Sequence, residues 1–444
     1  MSEGFETKSA LAKESSRLEQ KSTKIASIGA IQQSLVEHFS DIKDPRVERT
    51  KKHQLTDILV IAILAVIAGA QGWEDIENYG ISKQIWLEEF LALPHGIPDA
   101  RRLATASLSD DTFRRIFELI DPEALNRCFF RWVKTLVTKM GGEIIPIDGK
   151  TIRGSYDRNQ SKSALHVITA WASQKSLVLA QMKVEDKSNE ITAIPALLEL
   201  LDIAGSIITI DAMGTQTEIA KQIIAKKGDY VLALKANHPT LCSQVTEWFE
   251  IALANNFSRI DVSYDKRLEK AKSLWGRFPS TKLFKTAHHR TEIREVWTVP
   301  VAAIGELYQP KLWAGLQTLV MVVRVRHLWN KTTREVQFYL TSLNSDAQFI
   351  GRAIRKHWGI ENEAHWTLDC TFAEDACRIR SFHSPQNFAL LRRIALNALN
   401  REQTYKRSLR QKMKRTAMDN NYMIQVLSCF IDHRLDCSDS LCQA

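Results

Sequence analysis

Two aspartates stand where a catalytic site could form. Asp148 directly follows the apolar run 144–147, and Asp211 directly follows the apolar run 207–210. Ligands of open α/β sheets collect at the carboxyl ends of strands, so both carboxylates are placed for chemistry there. Each is a weak indication alone, because an aspartate followed by a glycine, as Asp148 is, is more often a turn residue.

A third acid, Glu361, lies in a predicted helix. Ile350, Ile354, Trp358 and Glu361 are spaced by four, four and three residues, which predicts that Glu361 lies on the apolar face beside Trp358. Burying a carboxylate costs on the order of a few kcal/mol unless a cation or a donor satisfies it. An ion pair within the helix is the alternative, and periodicity does not decide between them. The basic neighbours are Arg352, Arg355 and Lys356.

Three carboxylates that converge favour a site for divalent cations. They would repel one another and raise their pKa values unless cations neutralise them. Oxygen-only ligands suit Mg²⁺ or Mn²⁺. Two such ions, about 3.5–4 Å apart, would activate a water or a 3′-hydroxyl and stabilise the leaving oxygen of a phosphodiester. Basic residues next to the acids fit that substrate, although each taken singly is more often an ordinary surface charge. They are Lys150, Arg153, Lys235, Arg355, Lys356 and His357.

Positive charge is concentrated in one segment of the chain. The 444 residues carry a net charge of +9, and Arg378–Arg415 alone holds eleven basic residues against one acidic residue, Glu402. This is typical of an element that binds a polyanion, and a solvated surface helix is the alternative. The DNA-binding candidates in this segment are Arg378, Arg392, Arg393, Lys412 and Lys414.

The order of predicted elements indicates an α/β fold. After a polar, mobile segment (1–30) and a helical domain (31–140), three short apolar runs predict an antiparallel meander. A helix, a strand, a helix and a strand then complete a ribonuclease H-like order over residues 141–235. A mixed, strand-rich insertion (236–343) follows, and residues 344–444 supply the Glu361 helix and basic helices. The apolar run 58–70 is too short to span a bilayer and predicts a buried helix.

Several function classes are excluded by motifs that the sequence lacks. There is no Walker A loop, no GxGxxG after a strand, no GxSxG elbow and no HExxH. The seven cysteines form no CxxC pair, and no signal peptide is recognised, which predicts a reducing cytoplasm. A DNA-binding protein there would be associated with the nucleoid.

Longer blocks around the acids resemble a known family. Residues 147–155 (IDGKTIRGS) resemble the first catalytic motif of the ISAs1 family of bacterial insertion-sequence transposases. The blocks 186–192, 209–214 and 230–235 are similar to its next motifs, and 357–375 to its last catalytic block. Residues 39–46 are similar to the N-terminal domain associated with these transposases.

The resemblance implies a DDE transposase of the IS4-like type with a retroviral-integrase-like, ribonuclease H-like core. Asp148, Asp211 and Glu361 would be the catalytic and metal-binding triad, holding two Mg²⁺ or Mn²⁺ ions. The partners implied are double-stranded DNA, as element ends and target, and further copies of the chain in a dimer or larger multimer, with no membrane. A catalytically inactive, DNA-binding remnant and a ribonuclease H-like nuclease without strand transfer remain alternatives.

Overall fold

The computed structural model describes residues 28–98, 112–137, 141–157, 163–185, 189–258, 260–270, 291–328 and 330–431. These residues form two compact units, one containing residues 28–136 and 381–431 and the other residues 137–380. The predicted segment 344–444 is therefore divided near residue 380. The predicted mobile segment, apart from residues 28–30, lies outside the described residues.

The second unit is built on one nine-stranded sheet in the order β3-β2-β1-β4-β5-β9-β8-β7-β6. β1 pairs antiparallel with β2 and parallel with β4, which in turn pairs parallel with β5. The predicted meander and the ribonuclease H-like order that follows it are confirmed. The first five strands are β1 (Ile144–Ile152), β2 (Leu165–Ala172), β3 (Leu177–Lys183), β4 (Ile207–Ile210) and β5 (Asp229–Leu234).

The strand-rich insertion continues the same sheet. Its four strands form an antiparallel series in which β9 pairs with β5 and β8, and β7 pairs with β6 and β8. β6 was not predicted, because its sequence SYDKRLEK has no apolar alternation and its pairing with β7 is what orders it. The strands are β6 (Ser263–Lys270), β7 (Thr291–Pro300), β8 (Thr318–His327) and β9 (Thr332–Thr341).

Helices cover this sheet and connect its strands. α6 (Glu190–Leu200) and α7 (Thr217–Ala225) lie between the first strands, and α8 (Pro239–Ala254), which was not predicted, forms the first part of the insertion. α9 (Ala347–Gly359) packs its predicted apolar face, including Ile350 and Ile354, against side chains from six of the strands. Asp346 begins α9 as its N-cap, accepting the N–H of Phe349.

A π-helical turn, Ile360–His365, continues α9 and leads into α10 (Trp366–Cys370). Asn362 donates from Nδ2 to the carbonyl of Trp358 at 2.7 Å within this turn. A π turn holds more residues than an α turn, so the face that follows Trp358 is rotated from the one that a regular helix would present. Glu361 therefore does not lie on the same helix face as Trp358, contrary to the prediction.

The first unit is helical. Its helices are α1 (Ile28–Phe39), α2 (Leu55–Ile67), α3 (Trp73–Leu87), α4 (Thr112–Leu119), α5 (Pro122–Leu136), α11 (Ser384–Arg401), α12 (Leu409–Met418) and α13 (Asn420–Leu427). α2 is the predicted buried helix, and its residues 57–67 are all buried. α11 is buried over residues 384–399 except at one position, which makes it the centre of this unit. Across the described part of the chain, no helix has the length and hydropathy that a bilayer crossing requires.

Candidate active site

The pairing of β1 and β4 brings the two predicted aspartates to the same level of the sheet. Ile147 pairs with Ile210 in parallel register, and Asp148 and Asp211 are the next residues on each strand. Buried isoleucines on both strands fix their register against the core. Asp211 follows β4 as predicted, whereas Asp148 lies within β1, which continues to Ile152, at the same level of the sheet.

Asp211 is held by a turn that begins with its own side chain. Its Oδ1 accepts the N–H groups of Met213 at 3.1 Å and Gly214 at 3.2 Å. The hydroxyl of Thr215 then donates to the carbonyl of Asp211 and to that of Ala233 on β5, at 3.0 and 2.7 Å. These bonds tie the loop after β4 to β5 and orient the Asp211 carboxylate.

Glu361 lies in the first turn of the π-helical segment and is exposed rather than buried on the apolar face. The prediction of a buried Glu361 is therefore wrong, because the wider turn moves it off the Trp358 face. Its charge nonetheless acts on Asp148 more strongly than that of any other carboxylate. Glu363 is also exposed, and its carboxylate lies back over Gly359.

Asp148 has an unusual environment for an aspartate. Burial raises its pKa most, and the charges of Glu361, Glu190 and Asp211 raise it further. The N–H of Gly149, which donates to Oδ1 at 2.9 Å, acts in the opposite direction. The net result is a pKa of about 7, so roughly half of the Asp148 side chains hold a proton at neutral pH.

Glu190 is a fourth carboxylate at this site that the sequence analysis did not identify. It begins α6 and accepts from His166 Nε2 on β2 at 2.8 Å, while His166 Nδ1 is 2.9 Å from the hydroxyl of Thr151. A Cβ on Gly149 would lie 2.0 Å from Glu190 Oε1 and 2.7 Å from His166 Nε2, so a side chain at this position would displace the Glu190–His166 pair. Glu190 lies in the block 186–192, which resembles a family motif, and this resemblance was the indication in the sequence that Glu190 could belong to the site.

Two histidines complete the surroundings of the acids. His365, which is buried, places Nδ1 3.5 Å from Asp148 Oδ2. His357 Nδ1 lies 2.9 Å from the hydroxyl of Thr209 on β4. Burial lowers the pKa of His357, although the charge of Asp211 acts to raise it. His357 is therefore neutral near pH 7 and does not fit its predicted role as a charged phosphate contact.

The donor set of this site fits a hard divalent cation. Several carboxylates face one another, and their mutual repulsion is visible in the raised pKa of Asp148. Within the described ranges, however, no three His, Cys, Asp or Glu side chains stand close enough together to hold a metal ion. Binding an ion would therefore require these carboxylates to turn toward it.

Comparison with known proteins identifies the family. Residues 139–398 match the model of the transposase DDE domain. The chain belongs to the DDE transposase family. Residues 36–133 match the DDE_Tnp_1-associated domain, which corresponds to the helical segment predicted before β1. The ribonuclease H-like fold expected for this family agrees with the mixed sheet.

Relatives of this DDE transposase family member extend over most of its length. The "H repeat-associated putative transposase YhhI" of Escherichia coli (strain K12) is 37% identical over 400 residues, covering 89% of this chain and 97% of the relative. The "Putative transposase YncI" of Escherichia coli O157:H7 is 35% identical over 399 residues, covering 89% and 95%. A piggyBac transposase synaptic complex with hairpin DNA aligns over 94% of this chain and 84% of its own at 12% identity, with a TM-score of 0.41.

The side chain of Lys150 is not accessible to DNA. It is buried among three carboxylates, with Nζ 2.7 Å from Asp369, 2.9 Å from Asp375 and 3.5 Å from Glu374. Burial acts to lower its pKa, but these carboxylates outweigh burial and raise it. The prediction that Lys150 contacts DNA is contradicted, because its charge is used inside the transposase. We call these four residues the Lys150 cluster.

Three basic residues of the C-terminal segment are also buried. Arg392 lies over the ring of Phe388 at 4.4 Å, and Arg393 Nη1 donates to the carbonyl of Ala389 at 3.0 Å. Lys412 Nζ donates to the carbonyl of Leu399 at 2.8 Å and pairs with Glu402 at 3.3 Å. The prediction that Arg392, Arg393 and Lys412 contact DNA is wrong for this structure, because their side chains stabilise the helical unit.

The other predicted DNA contacts remain accessible. Arg153 Nε is 3.7 Å from Asp375 but the side chain is 84% exposed. Lys235 lies two residues beyond the level of Asp211 on β5, at the same edge of the sheet. Lys356 is half-buried and donates to the carbonyl of Ser173 at 3.4 Å. The exposed residues of the predicted set are Arg153, Lys235, Arg355, Arg378 and Lys414.

Proposed function

We propose that this chain binds the ends of a bacterial insertion sequence and catalyses metal-dependent cleavage and transfer of DNA strands. The observation that supports the proposal is that the charges of Glu361 and Asp211 act on Asp148 in a chain of the DDE transposase family. These three carboxylates come from distant parts of the sequence, and Asp148 and Asp211 lie at the same level of neighbouring strands. That arrangement is what metal-dependent phosphodiester chemistry requires.

Asp148, Asp211 and Glu361 are the proposed ligands of two Mg²⁺ or Mn²⁺ ions. When bound, such ions would polarise a phosphodiester and favour an attacking water or 3′-hydroxyl. The raised pKa of Asp148 supports this assignment, because a divalent cation would favour the ionised form that the neighbouring carboxylates disfavour. If Asp148 held such an ion, its carboxyl would have to be ionised, so the ion would compete with the proton that the raised pKa favours.

The residues around the ligands have positioning roles in this proposal. Glu190 and the glycine at 149 restrict the β1 backbone beside Asp148, and His365 lies against its second oxygen. The turn of Asp211 directs one oxygen to backbone N–H groups and so limits which oxygen a cation would reach. Pre-set carboxylates lose less conformational freedom when an ion binds.

The partner in this proposal is double-stranded DNA, and the chain acts on paired ends as a dimer or larger multimer. Among the exposed basic residues, Arg153 directly follows β1 and Lys235 directly follows β5, and both would contact phosphates near the acids. Arg355 on α9, six residues before Glu361, would contact the same DNA further along. Phosphate contacts of this kind hold the DNA in register without reading its sequence.

The test is an in vitro reaction on a plasmid that carries the ends of the encoding element. The protein is incubated with Mg²⁺, and the products are mapped to the nucleotide. We expect cleavage at the element ends and joined products, both absent with Asp211→Asn and without a divalent cation. Cleaved ends that never join would identify a nuclease without strand transfer. Binding with no cleavage under any metal would identify an inactive remnant.

A further inference from the structure

A basic cavity lies in the sheet unit at the opposite end of β1 from Asp148. Its volume is about 380 Å³, and it is enclosed by the start of β1, the strands β6 and β7, and the helix α9. Five of its lining side chains are basic and one is acidic, Asp265. The basic residues are Arg267, Arg294, Arg352, Arg355 and Lys356. Of these, the proposed function uses only Arg355.

The contacts of these side chains leave the cavity strongly positive. Arg267 pairs with Asp265 at 2.8 Å, the acid of the lining, and Arg294 pairs with Glu292 outside the lining. Arg352 lies over the ring of Phe349, 5.6 Å from its centroid, and that ring carries no net charge. Like charges held in one enclosed space repel one another, so the cavity favours an anion that would neutralise them.

The position of the cavity relative to Asp148 and Glu361 indicates that the anion is a DNA phosphate. Ile144 in its lining is four residues from Asp148 along β1, about 13 Å at the rise of a strand. Arg352 is nine residues from Glu361, also about 13 Å at the rise of a helix. A DNA strand carries one phosphate for about every 3.4 Å of helix axis. A strand whose phosphate reaches the carboxylates therefore has further phosphates three to four nucleotides away, at roughly the distance of the cavity.

We propose that this cavity binds the backbone phosphates of the DNA strand that adjoins the reacting phosphodiester. The inference rests on the proposed function and extends it to a second contact region built by the insertion strands and α9. Its volume is that of a small-molecule site, which admits a sugar–phosphate segment and is too small for a duplex. One helix, α9, then carries two of the cavity's arginines, Arg352 and Arg355, and leads at its end into the π turn that contains Glu361.

The test uses the full chain with Arg267→Gln and Arg352→Gln combined. Both side chains are exposed, neither belongs to the proposed catalytic set, and both line the cavity. Affinity for a fluorescent mixed-sequence duplex of about 40 base pairs is measured in EDTA over a range of salt concentrations. The wild type is expected to lose affinity steeply with salt. The double variant is expected to bind roughly 10- to 30-fold more weakly near 0.15 M salt, with a slope smaller by about 0.9 per lost contact.

The matched control combines Lys221→Gln and Lys311→Gln, two exposed lysines of the same unit that do not line the cavity. It should leave the affinity within about two-fold of wild type and the salt slope unchanged. A cavity variant whose slope equals that of the control would overturn the cavity proposal while leaving DNA binding, and so the proposed function, intact. If the wild type bound no DNA at any salt, the proposed function itself would fail.

Two further measurements test whether the double variant is destabilised and whether the cavity binds a free nucleotide instead of DNA. Melting temperatures are compared for all variants, and if the double variant melts lower than the control, Arg352→Gln alone is tested, with an expected slope change of about 0.9. Deoxyadenosine monophosphate is titrated as a competitor. If it bound the wild type more tightly than the duplex, and the double variant lost that binding, the cavity would be a free-nucleotide site and the DNA proposal would be wrong.

Discussion

Asp148 shows how burial on a strand changes the chemistry of one residue. The carboxyl lies on β1 directly after the buried residues 144–147, and the charges of three further acids act on it. Burial and these charges raise its pKa to about 7, so folding without metal disfavours the ionised form. The same repulsion makes the site receptive to a cation.

The first prediction is that Asp148→Asn stabilises the metal-free protein at high pH. A folded pKa raised from about 3.8 to about 7 means that the native state binds more protons between these values, so its stability falls as pH rises through them. The upper bound is about 4 kcal/mol at pH 8, and we expect about 1–2 because water reaches part of the carboxyl. Thermal unfolding in EDTA should show the variant melting higher at pH 8 and equally at pH 4. A variant that melts lower at pH 8 contradicts the prediction.

The second prediction separates Glu361 from Glu363. Glu361 acts on Asp148, whereas the carboxylate of Glu363 lies over Gly359. Glu361→Gln should remove metal-dependent cleavage by about 100-fold or more, and Glu363→Gln should retain most of it. Calorimetry with Mn²⁺ gives a readout independent of cleavage, since only Glu361→Gln should weaken binding of the ion. Equal losses in both variants would mean that the assignment of the third ligand is wrong.

At the scale of elements, the Lys150 cluster joins β1 to the chain that follows α10. Lys150 lies two residues after Asp148 on the same strand, and its three partners come from residues 369–375. Next to it, a Cβ on Gly154 would lie 2.1 Å from the carbonyl oxygen of Cys377, so the two segments touch through their backbones. The helix carrying Glu361 is thereby fixed at its far end to the strand carrying Asp148.

The third prediction is that Lys150→Met destabilises the protein by about 3–5 kcal/mol, because it leaves buried carboxylates without their cation. Arg153→Met is the matched control. Arg153 is 84% exposed and its longer contact to Asp375 is 3.7 Å, so a change within about 0.5 kcal/mol is expected. Urea unfolding monitored by tryptophan fluorescence measures both. Similar values for the two variants would show that the cluster does not hold β1 to this segment.

At the scale of the whole molecule, the basic C-terminal segment divides into buried and exposed charges. Arg392, Arg393 and Lys412 are inside the helical unit, where Arg392 lies over the ring of Phe388, Arg393 donates to the carbonyl of Ala389 and Lys412 pairs with Glu402. Glu402 itself has a pKa of about 2, because hydrogen bonds from Thr404, Tyr422 and Tyr405 and the charge of Lys412 outweigh the effect of burial. The accessible basic residues of this segment are Arg378, Arg380, Arg401, Lys406, Arg407, Arg410, Lys414 and Arg415.

The fourth prediction is that Lys406→Gln, Arg407→Gln, Arg410→Gln and Lys414→Gln together weaken DNA binding for all sequences alike. If all four contact phosphates, the salt slope should fall by about 0.9 for each. The control is Arg393→Met, which should lower the melting temperature by several degrees and leave the salt slope of the folded fraction unchanged. An unchanged slope in the fourfold variant would mean that this surface is only solvated.

The sequence by itself determined the strands and the two aspartates that follow them. Runs of buried isoleucine need a core on both faces, and this local requirement fixed β1 and β4 and hence the level of Asp148 and Asp211. The apolar spacing of Ile350 and Ile354 likewise fixed the face that α9 buries. The motif blocks predicted the family, and residues 139–398 confirm it at the level of the DDE transposase domain.

Only the tertiary structure decided which polar residues are buried and where the catalytic helix changes its winding. The charged strand β6 is ordered by a partner distant in sequence, and the π turn that exposes Glu361 has no signature in a 3.6-residue period. Glu190 reaches Asp148 only because α6 begins beside β1, and Arg392, Arg393 and Lys412 are buried because α11 is the centre of its unit. The composition gives the number of charged residues, whereas the packing decides whether each one contacts water, a carbonyl group or another charge.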